Sequence, residues 1–122
     1  MENQKDPGKP VAALVDLALE SWRFQKLFGK ALGKMDHADA ARFANQHRFF
    51  GRKIDETLGQ VGIRLVSIEG QAYDAGAAAT ALNVADFDPD DSVVVDMMIE
   101  PIVMGPGGVL RTGTVMLKKE DK

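Results

Sequence analysis

The chain lacks cysteine altogether and has few residues of the types that most often carry chemistry. With no cysteine among 122 residues, disulfides, thiolate metal sites and cysteine nucleophiles are excluded. The two histidines, His37 and His47, are too few for a histidine-rich metal centre. No apolar run approaches the roughly 20 residues that a membrane span needs. Residues 1–10 are polar and lack the hydrophobic core of a signal peptide, so we expect a cytoplasmic protein.

The charge of the chain is unevenly distributed. The net charge is −3, but residues 1–62 carry +2 and residues 63–122 carry −5. Residues 23–53 hold eight basic and two acidic side chains, a net charge of +6. Such asymmetry is typical of two units with different surfaces. We therefore predict the following divisions of the chain: a flexible lead at 1–10, a helical hairpin at 11–62, a small β domain at 63–118 and a charged tail at 119–122.

The first half has the apolar periodicity of two amphipathic helices. From Val11, apolar residues recur at spacings of three and four as far as Leu32. A second helix is predicted after Asp36, a plausible N-cap, and ends near Gly62, a residue type common just beyond helix C-termini. The short link between the helices predicts an antiparallel hairpin.

This hairpin has more apolar side chains than one partner helix can cover. Either a second copy completes a four-helix bundle, or the hairpin packs on the second half of the same chain. We favour the homodimer. The residues predicted to form its interface are Leu14, Leu17, Phe24, Phe28, Phe43, Phe50, Ile54 and Leu58.

After Gly62 the pattern changes to short stretches that are typical of β-structure. A strand is predicted at 63–67, and Pro101 is expected to interrupt a second β-stretch. The other expected elements are one or two helical turns at 75–82, an acidic loop at 85–91, β-structure at 93–104, a turn at 105–108 and one returning strand at 109–117.

The motifs that could carry chemistry are each better explained by structure. The acidic loop lacks the glycine and glutamate of a calcium loop, so a solvated turn is the better interpretation. The glycines at 105–108 precede a strand rather than a helix, which favours a hairpin turn over a phosphate loop. His47 lies at a heptad position and is expected to pack within the bundle. We therefore expect no enzymatic activity, no metal and no cofactor.

A basic stripe follows helical spacing on the first helix and is extended on the second by Arg48 and Arg52. A solvated outer face and a binding surface for an anionic partner both remain open. The negative overall charge, and the absence of aromatic residues interleaved with the stripe, disfavour nucleic acid. The stripe consists of Arg23, Lys26, Lys30 and Lys34.

The order of several short motifs resembles one known family. After the helical hairpin come Gly62, then Gly70 with Tyr73-Asp74, and finally a closing strand. The closing strand contains Leu110-Arg111 and Val115. In this order and spacing, over about residues 11–118, the chain resembles the GrpE family of nucleotide exchange factors, the co-chaperones of DnaK-type chaperones.

The resemblance implies an α+β homodimer whose helical hairpins form a four-helix bundle, each followed by a small all-β head. It implies binding to the nucleotide-binding domain of the chaperone, release of ADP, and a contact face formed by Met104, Gly108, Arg111 and Leu117. Burial of Met104 and Leu117 in the sheet, and an internal salt bridge of Arg111, are the structural alternatives. Since ten residues precede Val11, the long N-terminal helix of the family has no counterpart in this sequence, so we expect either a shortened or divergent member or a fragment of a longer chain. A GrpE-like adaptor for another protein is the alternative function.

Overall fold

A computed structural model describes residues 8–120, and its architecture is α+β, which confirms the predicted class. The chain divides into two compact units between Val61 and Gly62. The first unit contains helices α1 (Gly8–Leu32) and α2 (His37–Gly59). The second contains the strands β1 (Arg64–Val66), β2 (Ala79–Ala81), β3 (Val93–Glu100), β4 (Ile102–Gly105), β5 (Gly108–Arg111) and β6 (Gly113–Lys119), with a 3₁₀ turn at Val84–Asp86.

The ends of the helices differ from the predicted ones by a few residues. α1 begins at Gly8, so the last three residues of the predicted flexible lead are helical, and the rest of that lead lies outside the described residues. The predicted N-cap of α2 is confirmed, because the Asp36 carboxylate accepts a hydrogen bond from the Asp39 amide at 2.9 Å. α2 ends at Gly59, earlier than Gly62, whose positive φ of 77° belongs to the turn beyond the helix.

The two helices form an antiparallel hairpin. The Phe28 ring meets the rings of Phe43 and His47, at centroid distances of 6.5 and 5.8 Å. Closer to the start of α1, the Gln25 amide lies over Gly51, where an added Cβ would come within 3.0 Å of its Cδ atom. Residue numbers in α2 therefore increase as the numbers of their contact residues in α1 decrease, which is the predicted antiparallel pairing.

The strands form two three-stranded sheets. β4 is the central strand of the first sheet, between β1 and β5, and both pairs are antiparallel. β6 is the central strand of the second sheet, parallel to β2 and antiparallel to β3. The chain passes between the sheets at Pro101 and at Thr112. The interruption at Pro101 was expected, since proline has no N–H for a ladder hydrogen bond.

Two elements of the second unit were predicted wrongly. The alanine-rich stretch at 75–82 is not helical, because Ala79–Ala81 forms β2 alongside β6. A run of this length is too short to nucleate a helix alone, so pairing with β6 decides its conformation. The single returning strand at 109–117 is two strands in different sheets, separated at Thr112. The β4–β5 hairpin was predicted correctly, and Gly105 pairs with Gly108 across its turn.

The core of the second unit comes from the inward faces of its longer strands. Val95, Met98, Val103 and Val115 are each at most 1% exposed. The side chain of Asn83 extends the parallel pairing beyond β2: it accepts from the Leu117 amide at 2.9 Å and donates to the Leu117 carbonyl at 3.0 Å. On the edge where β2 pairs, the C-terminal part of β6 is therefore hydrogen-bonded to a side-chain amide and not to a strand.

Candidate protein-binding surfaces

An apolar groove lies between the helices of the hairpin. Phe24 and Phe28 stack one turn apart on α1, with ring centroids 6.2 Å apart, and Phe50 faces them from α2. The groove has a volume of about 260 Å³, and Gln25, Gln46 and His47 complete its walls. That volume is below the range of about 300–1,000 Å³ for small-molecule sites, whereas a side chain from another helix could enter it.

His47 has a structural role in this groove. Its Nε2 atom lies 2.8 Å from the backbone carbonyl oxygen of Gln25, and because a carbonyl only accepts, the imidazole donates this hydrogen bond. The ring fits because position 29 is a glycine, where a Cβ would lie 3.3 Å from Nε2. These contacts agree with the interpretation of His47 as a residue packed within the hairpin.

The residues predicted to form the dimer interface are exposed to different degrees. Leu17 and Phe24 are 63% and 60% exposed, and Phe50 is 37% exposed. Leu58 is only 3% exposed in the single chain, so it has little surface left for a second copy. The remaining predicted residues, Leu14, Phe28, Phe43 and Ile54, are half-buried.

A second surface on the hairpin was missed by the sequence interpretation. Asn45, Arg48, Phe49 and Arg52 line a shallow depression on α2 of about 430 Å³, together with Gln46. Phe49 is 57% exposed. An aromatic ring is thus interleaved with the basic side chains of α2. The spacing of three between Phe49 and Arg52, with Arg48 adjacent, was the signal that could have found it.

The basic stripe on α1 is partly engaged within its own helix. Arg23 forms an ion pair with Glu20 at 2.5 Å, and the Lys26 ammonium lies 4.9 Å from the centroid of the Trp22 ring. Lys30 and Lys34 are exposed. Exposed pairs of this kind contribute little stability, about 0–1 kcal/mol. Contacts within α1 thus explain the positions of Arg23 and Lys26 but not those of Lys30 and Lys34.

Of the four predicted contact residues in the second unit, three lie in the first sheet. Met104 is half-buried on β4, Gly108 begins β5 with a φ of 131°, and half-buried Arg111 ends β5 opposite Val103. Leu117 lies on β6 in the other sheet and is 4% exposed. Its side chain belongs to the core, in agreement with the structural alternative, so Met104, Gly108 and Arg111 remain as candidate contact residues.

The acidic loop has the hydrogen bonds of a turn. The Asp88 amide donates to the Asp91 carboxylate at 2.9 Å, and the Asp91 amide donates to the Asp88 carbonyl at 3.0 Å. Within residues 8–120, no group of three or more histidine or acidic side chains is placed to hold a metal ion. Over the same residues, neither helix is long and apolar enough to cross a membrane.

Comparison with known proteins gave no match to a protein family, to a curated protein or to a solved structure.

Proposed function

We propose that this protein is a dimeric, GrpE-like co-chaperone that binds the nucleotide-binding domain of a DnaK-type chaperone and promotes release of ADP. The observation that carries the proposal is the element order: a helical hairpin with exposed apolar side chains, then a separate β unit that ends in a hairpin and a closing strand. This is the order that the sequence resemblance implies. The motif residue Arg111 lies at the end of β5 that is away from the β4–β5 turn, opposite Val103.

The dimer part of the proposal is supported by the exposed apolar face of the hairpin. Leu17 and Phe24 lie seven residues apart on α1, the spacing of one heptad, and both are exposed by more than half. Exposed phenylalanine and leucine in one stripe, beside a groove, are typical of a surface that another helix covers. A second hairpin related by a two-fold axis would bury the stripes of both copies against each other.

In the proposed mechanism the β unit acts by binding alone. A nucleotide held between two lobes of a chaperone domain is bound tightly only while the lobes are closed. A protein that binds the open state better shifts the population towards that state. By linkage, it weakens the binding of ADP by the same coupling free energy by which ADP weakens the binding of the protein. The proposed contact face is Met104, Gly108 and Arg111, on the two strands of one hairpin.

Stopped-flow measurement of labelled ADP leaving a DnaK-type chaperone tests the proposal. We expect the full chain to accelerate release, and Arg111→Ala to weaken the effect about tenfold, as for an interface arginine that carries much of the binding energy. Lys118→Ala is the control, because exposed Lys118 lies on β6 in the other sheet. No acceleration at micromolar protein would contradict exchange activity.

A GrpE-like adaptor without exchange activity is the second candidate. It is favoured by Gly108, which offers no side chain at the turn where a basic residue of the family would contact the chaperone. An affinity pull-down from the source cell distinguishes the two functions. Recovery of a DnaK-type chaperone as the main partner favours exchange, and recovery of another protein in its place favours the adaptor.

A further inference from the structure

The outer face of α2 carries a surface that the packing of the hairpin does not use. Asn45, Arg48, Phe49 and Arg52 are spaced as neighbours on one helix face, which we call the outer α2 face. The side that contacts α1 is marked by His47 and Gly51. At about 100° per residue, the centres of these two sets are separated by slightly more than a third of a turn, so the outer α2 face is turned away from the contact with α1.

The side chains of the outer α2 face are arranged for a partner that is both acidic and apolar. Phe49 is 57% exposed, although burial of a phenylalanine side chain is favourable. The Arg48 guanidinium donates to the Asn45 side-chain oxygen, which fixes its position along the helix. Arg52 makes no ion pair with any side chain among residues 8–120. The face therefore offers one ring and two cations around a shallow depression.

The net charge of the residues around the outer α2 face indicates which class of partner it would bind. Residues 23–53 carry a net charge of +6, so a second hairpin brought against this face would add like charge. A nucleic acid is typically bound by a longer run of cations that neutralises several phosphates, whereas the outer α2 face holds two arginines. A short acidic protein segment needs only the two arginines, and an apolar side chain within it could cover Phe49.

We propose that the outer α2 face docks an acidic segment of a partner protein, with carboxylates on Arg48 and Arg52 and an apolar side chain on Phe49. Arginine suits this role because its planar guanidinium can bind a carboxylate through two parallel hydrogen bonds. The dimer stripe of Leu17, Phe24 and Phe50 lies elsewhere on the hairpin. Docking therefore does not need ADP exchange, and because Gln46 lines both depressions, the docked segment lies next to the groove of the proposed dimer.

Fluorescence anisotropy with the full chain tests the chemistry of the ligand. The probe is a fluorescein-labelled peptide of twelve residues, eight of them Asp or Glu, with Leu and Phe among them. One matched peptide has Asn and Gln in place of the acids, and another has Ser in place of Leu and Phe. We expect saturable binding of the first peptide, weakened at least about tenfold by either change, because both the charges and the ring contribute.

Variants of the outer α2 face test the location. Arg48→Glu with Arg52→Glu, and separately Phe49→Ser, should each weaken the acidic peptide about tenfold or more. The charge-matched control is Lys30→Glu with Lys34→Glu, which makes the same net change on exposed positions of α1 or just beyond it. We expect this control to stay within about twofold of the parent protein. Circular dichroism verifies that every variant keeps its helices.

Four results would overturn the proposal. If the control pair weakens binding as much as the arginine pair, attraction is by net charge and no site exists. If a twenty-nucleotide single-stranded DNA, or vesicles containing phosphatidylserine, bind this face more tightly than the peptide, the partner class is wrong. If the arginine pair abolishes self-association in sedimentation, the occupant is a second copy. If the arginine pair instead removes ADP release with peptide binding intact, the face belongs to the exchange function.

Discussion

At the scale of the residue, glycines show where backbone and side chains come closest. Gly62 has a φ of 77°, in the left-handed region that only glycine adopts readily, and a Cβ there would lie 2.8 Å from Pro106 Cγ. Gly70 has a similar φ of 83° with open space around it. The two positions therefore separate the cost of backbone strain from the cost of a steric clash.

Alanine substitutions at these glycines should have different costs. We expect Gly62→Ala to lower the free energy of unfolding by about 2 kcal/mol or more, because strain of about 1–2 kcal/mol is joined by the clash with Pro106. Gly70→Ala should cost about 1 kcal/mol. Gly59→Ala, in the last turn of α2 with no neighbour within 4 Å, is the control and should be neutral or slightly stabilising. Urea unfolding measures all three, and equal values for Gly62 and Gly59 would contradict the packing described.

At the scale of the element, β3 shows how a bulge sets which side chains reach the core. Val95 and Met98 are buried, while Asp96 and Met97 between them are both exposed, so strict alternation fails. The pairing with β6 shifts register between Val95 and Met97, which is the signature of a β-bulge. On the outer edge of β3, the Glu69 carboxylate accepts from the Met98 amide at 2.9 Å.

The neighbouring methionines of β3 should therefore differ sharply in their contribution to stability. Met98 is 0% exposed, and Met98→Ala should lower the free energy of unfolding by about 3 kcal/mol through lost burial and a new cavity. Met97 is 38% exposed, and Met97→Ala should cost under about 1 kcal/mol. Chemical denaturation of both variants is the measurement. Similar losses at the two positions would mean that the bulge is absent or lies elsewhere.

At the scale of the whole molecule, the two compact units have different surfaces. Sequence patterning anticipated this, because the net charge changes sign close to the division at Val61 and Gly62. The first unit contains the exposed apolar side chains of the proposed dimer, and the second contains the proposed chaperone contact. Self-association and partner binding should therefore respond to different substitutions.

The proposed dimer is tested by charges placed on the exposed stripe. Leu17→Asp with Phe24→Asp should convert the protein to a monomer, because two buried carboxylates without partners cost several kcal/mol per interface. Helix content should change little, since both side chains are more than half exposed in the single chain. The control is Leu82→Asp, at a residue 62% exposed in the second unit. Sedimentation velocity gives the mass, and a parent protein that is already monomeric at high concentration would contradict the dimer.

Residue types and their spacing along the chain were enough to predict the elements that depend on local chemistry. The Asp36 cap, the two amphipathic helices, the interruption at Pro101 and the glycine turn of the β4–β5 hairpin all follow from residue types and spacing. In each case the deciding interaction spans only a few residues, or a single hydrophobic period, so it can be read along the chain.

Features that depend on pairing between distant residues could be recognised only in the folded chain. Ala79–Ala81 is a strand because β6 lies beside it, and Leu117 is in the core because its sheet places it there. The outer α2 face emerged in the same way, since the packing of His47 and Gly51 on α1 determines which side of α2 is left open. Burial and long-range pairing involve residues far apart in the chain, and no local pattern encodes their partners.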